Sequence, residues 1–296
     1  MKVKAYRVHQ QGVRTLADVA RWLDDRSLAD RQFGGRYDIR LEDMRVGQRL
    51  LWLDFAHKRV GHGPGRMAPD QPIRDIDLAD GEHFGEDTAA VIDMQTGYAA
   101  VQYNHHGPKV TAIEDYLRLV DIAIAGASIA DGINPERFGF TWAMHLNPEG
   151  YERLRNLGIY REVMVQINVP GATQHDFIHD RALGQVIDHV VPEGTETVTL
   201  AFKAAAPRDS ALGDQGVEGW LTDIRRLGDS VQKAIVKGRV AQREPIEEID
   251  LIEEQLSRDV ALRIARGERY AREDRWAALR ATLELWTETD KLPVAG

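Results

Sequence analysis

Apolar and polar residues follow two spacings along this chain, and each spacing predicts one kind of element. The sharpest pattern lies in Gly85–Val120, where two apolar runs flank a polar segment that ends in Gly97. Short runs of strand formers on either side of a glycine that can adopt a positive φ predict a β-hairpin. Thr111 follows as the predicted cap of a helix with one apolar face. We therefore expect this stretch to form the scaffold of an N-terminal domain.

The rest of the N-terminal half shows the same two spacings. Residues 2–8 alternate as a first strand, and a helix capped by Thr15 follows them. Residues 46–57 form a longer apolar run, which predicts a single buried strand.

The C-terminal half combines alternating runs with helical spacings. Residues 162–169 and 196–204 alternate as two strands, with a helical segment around 179–189 between them. Apolar residues spaced by three or four positions predict a helix over 220–243, and a strand-like run follows at 260–265. A last helix has an apolar face made of four residues: Trp276, Leu279, Leu283 and Trp286.

Strands and helices in this order predict an α+β fold with mainly antiparallel strands. A break around Asp131–Pro135, followed by a change in composition, divides the chain in two. We therefore expect two mixed α/β domains, residues 1–145 and residues 146–296, with a helical C-terminal portion. The second domain is expected to hold both the basic helix over 220–243 and the terminal helix.

Composition limits the possible chemistry. The 296 residues include no cysteine, which excludes disulfides, thiolate nucleophiles and cysteine-bound metals. The first residues lack the apolar core of a signal peptide, and no apolar run approaches the ~18 residues of a spanning helix. A cytoplasmic protein is therefore expected. The net charge of −9 argues against general binding to a polyanion, although one basic patch on an acidic body still permits it.

Motifs that would identify an enzyme are weak. His175 and His179 are four residues apart, as two metal ligands on one helix face are. Zinc enzymes of that type carry glutamate after the first histidine, and here that residue is Asp176. No phosphate-binding loop, dinucleotide fingerprint or serine-nucleophile elbow occurs. We expect a protein that is not an enzyme and holds no metal or cofactor. A metal-dependent nuclease built on the His175/His179 region stays open as an alternative.

The basic face of the predicted helix over 220–243 is the pattern that best fits a function, namely contact with nucleic-acid phosphates. Lysine and arginine at helical spacing contact successive phosphates without reading bases. The other interpretation is a solvated face that pairs with the acidic segment 244–259, while a second basic stretch at 263–272 supports the first. The DNA-binding residues predicted from this pattern are Arg225, Arg226, Lys233, Lys237, Arg239 and Arg243.

Three parts of the sequence resemble RexA of lambdoid phages and a group of related phage and mobile-element proteins. GEDTAAVIDMQTGYAAVQYN, followed by VTAIEDYL, is similar to the strand–turn–strand–helix that closes the N-terminal domain of that group. EVMVQINVPG and ETVTLAFKAAAPRD are similar to paired strands of its second domain. The stretch from Ile249 to Trp286 resembles its C-terminal pattern of an acidic start, a strand, a basic turn and a final helix.

The resemblance implies a dimeric, non-enzymatic protein that binds duplex DNA with little sequence preference. It implies a sensor of a phage-exclusion system that signals to a RexB-like membrane protein. Individual binding residues do not transfer from the resemblance, so the six residues above rest on charge pattern alone.

Two experiments separate these interpretations. DNA binding through the basic face predicts salt-sensitive affinity that falls when Arg226, Lys233 and Lys237 are reversed together. A nuclease predicts plasmid cleavage with Mg²⁺ or Mn²⁺. A third interpretation is a protein-interaction module that docks through the acidic segment 244–259 and ignores DNA.

Overall fold

The structure, a computed structural model, describes residues 1–33, 38–59, 63–127, 133–134, 137–168, 195, 197–207, 209–227, 231–264 and 268–292. Within these ranges the strands are β1 (Lys2–Gln10), β2 (Arg40–Val46), β3 (Leu50–Lys58), β4 (Arg66–Ala68), β5 (Gln71–Arg74), β6 (Gly85–Asp93), β7 (Tyr98–Tyr103), β8 (Phe140–Met144), β9 (Ile159–Asn168), β10 (Thr197–Lys203), β11 (Val231–Arg239), β12 (Glu247–Asp250) and β13 (Ser257–Asp259). The α-helices are α1 (Leu16–Asp24), α2 (Val110–Ile124), α3 (Pro148–Asn156), α4 (Asp214–Leu227) and α5 (Arg272–Glu288), and a 3-10 turn covers Leu28–Arg31.

Seven strands form the first sheet, and each pair in it is antiparallel. Along the path β1–β7–β6–β3–β2, neighbouring strands are hydrogen-bonded. The other edge of β1 is shared, because β13 pairs with Lys2–Lys4 and β8 pairs with Tyr6–Gln10. The predicted hairpin is confirmed as β6–β7, with Gly97 at a φ of +75° in its turn. The predicted α+β fold with antiparallel strands is also confirmed.

Helices cover both faces of the first sheet. On one face, Tyr116 of α2 meets Phe55 edge-on, with ring centroids 6.2 Å apart, and its hydroxyl accepts a hydrogen bond from the Leu41 amide of β2. α1 packs on the same side, and Thr15 caps it as predicted, by accepting a hydrogen bond from the Asp18 amide. On the opposite face, α5 buries the predicted apolar stripe that includes Trp276 against β1, β6 and β7. The sheet is therefore a buried central layer.

The second sheet has four antiparallel strands in the order β10–β9–β11–β12. Its inner face is apolar, with Val163, Val165 and Ile167 of β9 fully or almost fully buried against α4. The strands predicted at 162–169 and 196–204 are confirmed as β9 and β10. The helical segment predicted around 179–189 lies outside the described residues.

The helix predicted over 220–243 is wrong in its second half. α4 ends at Leu227, and residues 231–239 form β11 at the centre of the second sheet. Ala234, Ile235 and Val236 are all buried, Lys233 is exposed, and pairing with β9 on one edge and β12 on the other fixes this segment as a strand. A spacing of three or four also fits an alternating strand with a bulge, and β11 has one between Val231 and Lys233.

Three element boundaries also differ from prediction. The run 46–57 is split by a turn in which the Gly47 amide donates to the Leu50 carbonyl, which separates β2 from β3. α2 begins at Val110, ahead of Thr111, and no side chain caps it. The strand expected at 260–265 is instead β13, because only residues 257–259 pair with the start of β1.

The last part of the chain returns to the first sheet. β13 pairs with β1, and α5 packs on the face of β6 and β7 away from α1 and α2. The sequence pattern had placed both elements with the C-terminal strands. The predicted domain boundary near residue 145 stays a prediction. α5, which that boundary assigns to the second domain, packs on the first sheet.

Candidate nucleic-acid interface

The six residues predicted to bind DNA do not share one surface. Arg225 lies on α4, half-buried, where its Nε donates to the Met144 carbonyl at 3.3 Å. Its guanidinium lies 5.2 Å from the centre of the Tyr151 ring. Arg226 is the next residue of α4, and its side chain lies outside the described residues.

The three predicted residues of β11 have different environments. Lys233 is exposed on the outer face of the second sheet. Lys237 shares that face, but its Nζ is 2.9 Å from a Glu248 oxygen of β12, and this partner raises the pKa of Lys237. Arg239 is 6% exposed and donates to the Gln242 carbonyl, so it is a structural residue. Arg243 is exposed in the turn between β11 and β12.

Two arginines of the second basic stretch, Arg269 and Arg272, join Arg275 of α5 in pairing with carboxylates of the first sheet. Arg275 is 3% exposed and pairs with Asp54 of β3 at 2.8 Å, and Asp54 is itself 1% exposed. Arg272 reaches the same carboxylate at 2.8 Å, and Arg269 pairs with Asp87 of β6. These arginines are therefore committed to carboxylates of the first sheet and do not form a basic surface.

Three acids of the acidic segment 244–259 are also held in ion pairs. Arg153 of α3 pairs with Glu247 at 2.6 Å and also with Glu254. Glu248 holds Lys237, as described above. Several of the carboxylates that suggested a docking segment therefore form ion pairs that hold α3 and β11 against β12 and the turn that follows it.

A different group of side chains meets where the two sheets join. β1 and β7 place Arg7 directly opposite Tyr98. The Arg7 guanidinium lies 5.4 Å from the centre of the Tyr98 ring. His145, just after β8, has its ring 5.1 Å from Tyr98 and 5.9 Å from Tyr151 of α3. Arg225 of α4 completes the group, which we term the Arg7–Arg225 cluster.

The two arginines set the electrostatics of this cluster. Burial, together with the positive charges of Arg225 and Arg7, lowers the pKa of His145 to about 4, and the hydrogen bond to the Lys291 carbonyl opposes this shift. Its Nε2 lies 3.3 Å from the Lys291 carbonyl oxygen, so Nε2 carries the proton and donates it. Burial raises the pKa of the Tyr98 hydroxyl, and the same two arginines oppose that rise. At neutral pH the cluster therefore contains two guanidiniums, two phenols and a neutral imidazole.

No carboxylate among the described residues is ion-paired with Arg7 or Arg225. Arg7 is exposed, and Arg225 and Tyr151 are half-buried, so an anion can approach the guanidiniums from solvent. Planar guanidiniums and phenolic hydroxyls are donors suited to phosphate oxygens. The cluster can therefore act as an anion site in an otherwise acidic protein.

Sequence reasoning found only Arg225 of this cluster. The other four members are far apart in sequence and become neighbours through the pairing of β1 with β7 and β8: Arg7, Tyr98, His145 and Tyr151.

Two further predictions concern metals and membranes. Across the described ranges, no three histidine, aspartate or glutamate side chains are arranged to hold a metal ion. His175 and His179, on which the nuclease alternative depends, lie outside those ranges. No helix in the described part of the chain has the length and apolarity needed to cross a membrane.

No protein-family model matches this chain, and no curated protein matches it at a significant level.

Proposed function

We propose that this protein binds double-stranded DNA without reading its base sequence, and that the Arg7–Arg225 cluster contacts a backbone phosphate. In this proposal it is a cytoplasmic homodimer that senses infection in a RexA-like phage-exclusion system. A RexB-like membrane protein would be its partner, and DNA contact would not involve catalysis.

The observation that supports DNA binding is the pair of accessible arginines. Most arginines that attach helices to sheets in this acidic protein are paired with carboxylates, as Arg153, Arg272 and Arg275 are. Arg7 and Arg225 instead meet phenols, a neutral histidine and a backbone carbonyl. Positive charge without a local counter-charge is the requirement for attracting a phosphate.

Charge reversal tests the proposal directly. In a gel-shift titration at low salt, Arg7→Glu combined with Arg225→Glu should weaken duplex binding at least about tenfold, because each reversal replaces attraction to phosphate by repulsion. Duplexes of unrelated sequence should be affected equally, since phosphate contacts carry no base information.

The matched control reverses Arg66 and Arg74, an exposed arginine pair that faces across the β4–β5 hairpin. It makes the same change in net charge and should leave affinity within about threefold of the parent protein. If both double variants lose affinity equally, the effect belongs to net charge and the cluster is not the site.

The reversal of Arg226, Lys233 and Lys237 together separates the second sheet from the cluster. Lys237 is already paired with Glu248, so we expect this triple variant to lose less affinity than the cluster variant. A larger loss of duplex affinity in the triple variant would indicate that DNA binds at the outer face of the second sheet and not at the cluster.

A further inference from the structure

The Arg7–Arg225 cluster is small and self-contained. Its two guanidiniums both act on the one imidazole of His145, and the tyrosine rings on either side of that imidazole are 5.1 and 5.9 Å away. Three of the other predicted cations do not extend it, because Lys233 and Lys237 lie on the outer face of the second sheet and Arg239 is buried. A duplex tract offers a row of phosphates, whereas this cluster matches one.

We infer that the Arg7–Arg225 cluster holds a single dianionic phosphate monoester, carried either by the end of a DNA strand or by a mononucleotide. For a DNA end, this inference rests on the proposed function and identifies which phosphate of the DNA the site prefers.

Charge matching favours a monoester over a backbone diester. A terminal phosphate carries a charge of about −1.5 to −2 at neutral pH, whereas each backbone phosphate carries a single charge. The cluster offers two guanidiniums and no paired carboxylate among the described residues. A dianion therefore balances the two positive charges.

The donors around the site also suit a terminal group. Arg7 reaches it from β1 and Arg225 from α4, and each guanidinium presents a planar fork that binds two oxygens. In this inference the phenols of Tyr98 and Tyr151, whose rings contact His145, would supply further donors. A terminal phosphate has three oxygens free to accept these hydrogen bonds, whereas a backbone phosphate has two.

His145 keeps the charge of the site constant over a wide pH range. It stays neutral well below neutral pH, and its one ring N–H is already donated to the Lys291 carbonyl. The other charged or titratable side chains that face it are those of Arg7, Arg225, Tyr98 and Tyr151, and guanidinium and phenol groups have reference pKa values outside the range from about pH 5 to about pH 7.5. Any change in preference over that range then reports on the phosphate.

The experiment compares ligands that differ only in the phosphate. Probes are a short blunt duplex with 5′-phosphates, the same duplex with 5′-hydroxyls, thymidine 5′-monophosphate and thymidine. Binding is measured by fluorescence anisotropy for the duplexes and by calorimetry for the small molecules. We expect the 5′-phosphorylated duplex to bind at least about tenfold more tightly than the 5′-hydroxyl duplex. Thymidine 5′-monophosphate should bind and thymidine should not.

Variants and pH identify the site. Arg7→Gln should abolish the preference for the 5′-phosphate, and Arg66→Gln on the hairpin should preserve it. Arg7 is exposed, so this variant should keep the melting temperature of the parent. At about pH 5 the monoester becomes monoanionic, and the preference should shrink several-fold.

The outcomes for the inference and for the proposed function differ. Equal binding of both duplexes, with affinity still lost on charge reversal of Arg7 and Arg225, would overturn the inference and leave DNA binding intact. Binding of thymidine 5′-monophosphate without binding of any duplex would support the inference and overturn the proposed function. A preference that persists in Arg7→Gln would place the phosphate elsewhere.

Discussion

His145 is held neutral by its surroundings. It is 6% exposed between two tyrosine rings, and burial lowers its pKa from 6.5 to about 4. The unfolded chain, in which the imidazole is hydrated, takes up a proton at a higher pH than the folded chain does. Between those two pKa values, falling pH therefore favours unfolding.

This difference predicts the pH dependence of stability. The contribution of His145 is fully present above about pH 6.5 and is lost as pH falls toward about 4, at a total cost of up to about 3 kcal/mol. His145→Gln keeps an N–H that can donate to Lys291 and removes the titration. Urea unfolding across this range should fall less steeply with decreasing pH in the variant than in the parent. Identical pH profiles would mean that His145 is protonated or exposed in the folded protein.

Arg7 shows which signal for the cluster was available in the sequence. Val3 and Ala5 are fully buried under α5, and Arg7 follows them in phase along β1. A charged residue on an otherwise buried face of a strand marks an unusual position. Tyr98 and His145 carry no comparable signal, because only the register of β1 with β7 and β8 brings them to Arg7.

At the scale of elements, α5 is attached through buried charges as well as apolar packing. Asp54 of β3 accepts from both Arg272 and Arg275, and Arg275 also lies 3.1 Å from Asp87. A buried ion pair adds little stability over an apolar pair of the same volume, but removing one partner leaves the other charge buried without compensation. The ion pairs of Asp54 and Asp87 with Arg272 and Arg275 therefore fix the position of α5 on the first sheet.

Asp54→Ala should lower the free energy of unfolding by about 3–5 kcal/mol, because Arg275 is left buried with only Asp87 and Gln102 as partners. Glu273→Ala is the matched control, since it breaks the exposed Arg45–Glu273 pair at the same helix end and should cost less than about 1 kcal/mol. Chemical denaturation of both variants measures the difference. Similar costs would mean that the buried pairs do not hold α5.

Elements with one clear spacing were predicted well, and ambiguous ones were not. The hairpin around Gly97, the helix capped by Thr15 and the apolar face of α5 follow from local sequence alone. The apolar spacing of residues 231–239 is compatible with both a helix and a strand. Pairing with β9 and β12 selects the strand. Arg269 and Arg272 resemble part of a basic surface in the local sequence. Their carboxylate partners, Asp43, Asp54 and Asp87, are about 180 or more residues away, so the local pattern does not reveal the pairing.

On the scale of the whole molecule, the net charge of −9 means that any DNA site must be local. Repulsion from the acidic body falls off within about 8–10 Å at physiological salt, so two accessible arginines suffice for a phosphate that reaches them. The cluster lies where β1, β7 and β8 meet α3 and α4, close to the end of α5. Binding there would contact strands of the first sheet and also α4, the helix that packs on the second sheet.

The most direct test is the salt dependence of duplex binding in the parent protein and in Arg7→Glu/Arg225→Glu. The logarithm of the binding constant should fall linearly with the logarithm of salt concentration, and the slope should be shallower by about one in the variant, because the cluster contacts one phosphate. Arg66→Glu/Arg74→Glu should keep the parent slope. A parent protein that does not bind duplex DNA, or a slope unchanged by reversing Arg7 and Arg225, would contradict this account.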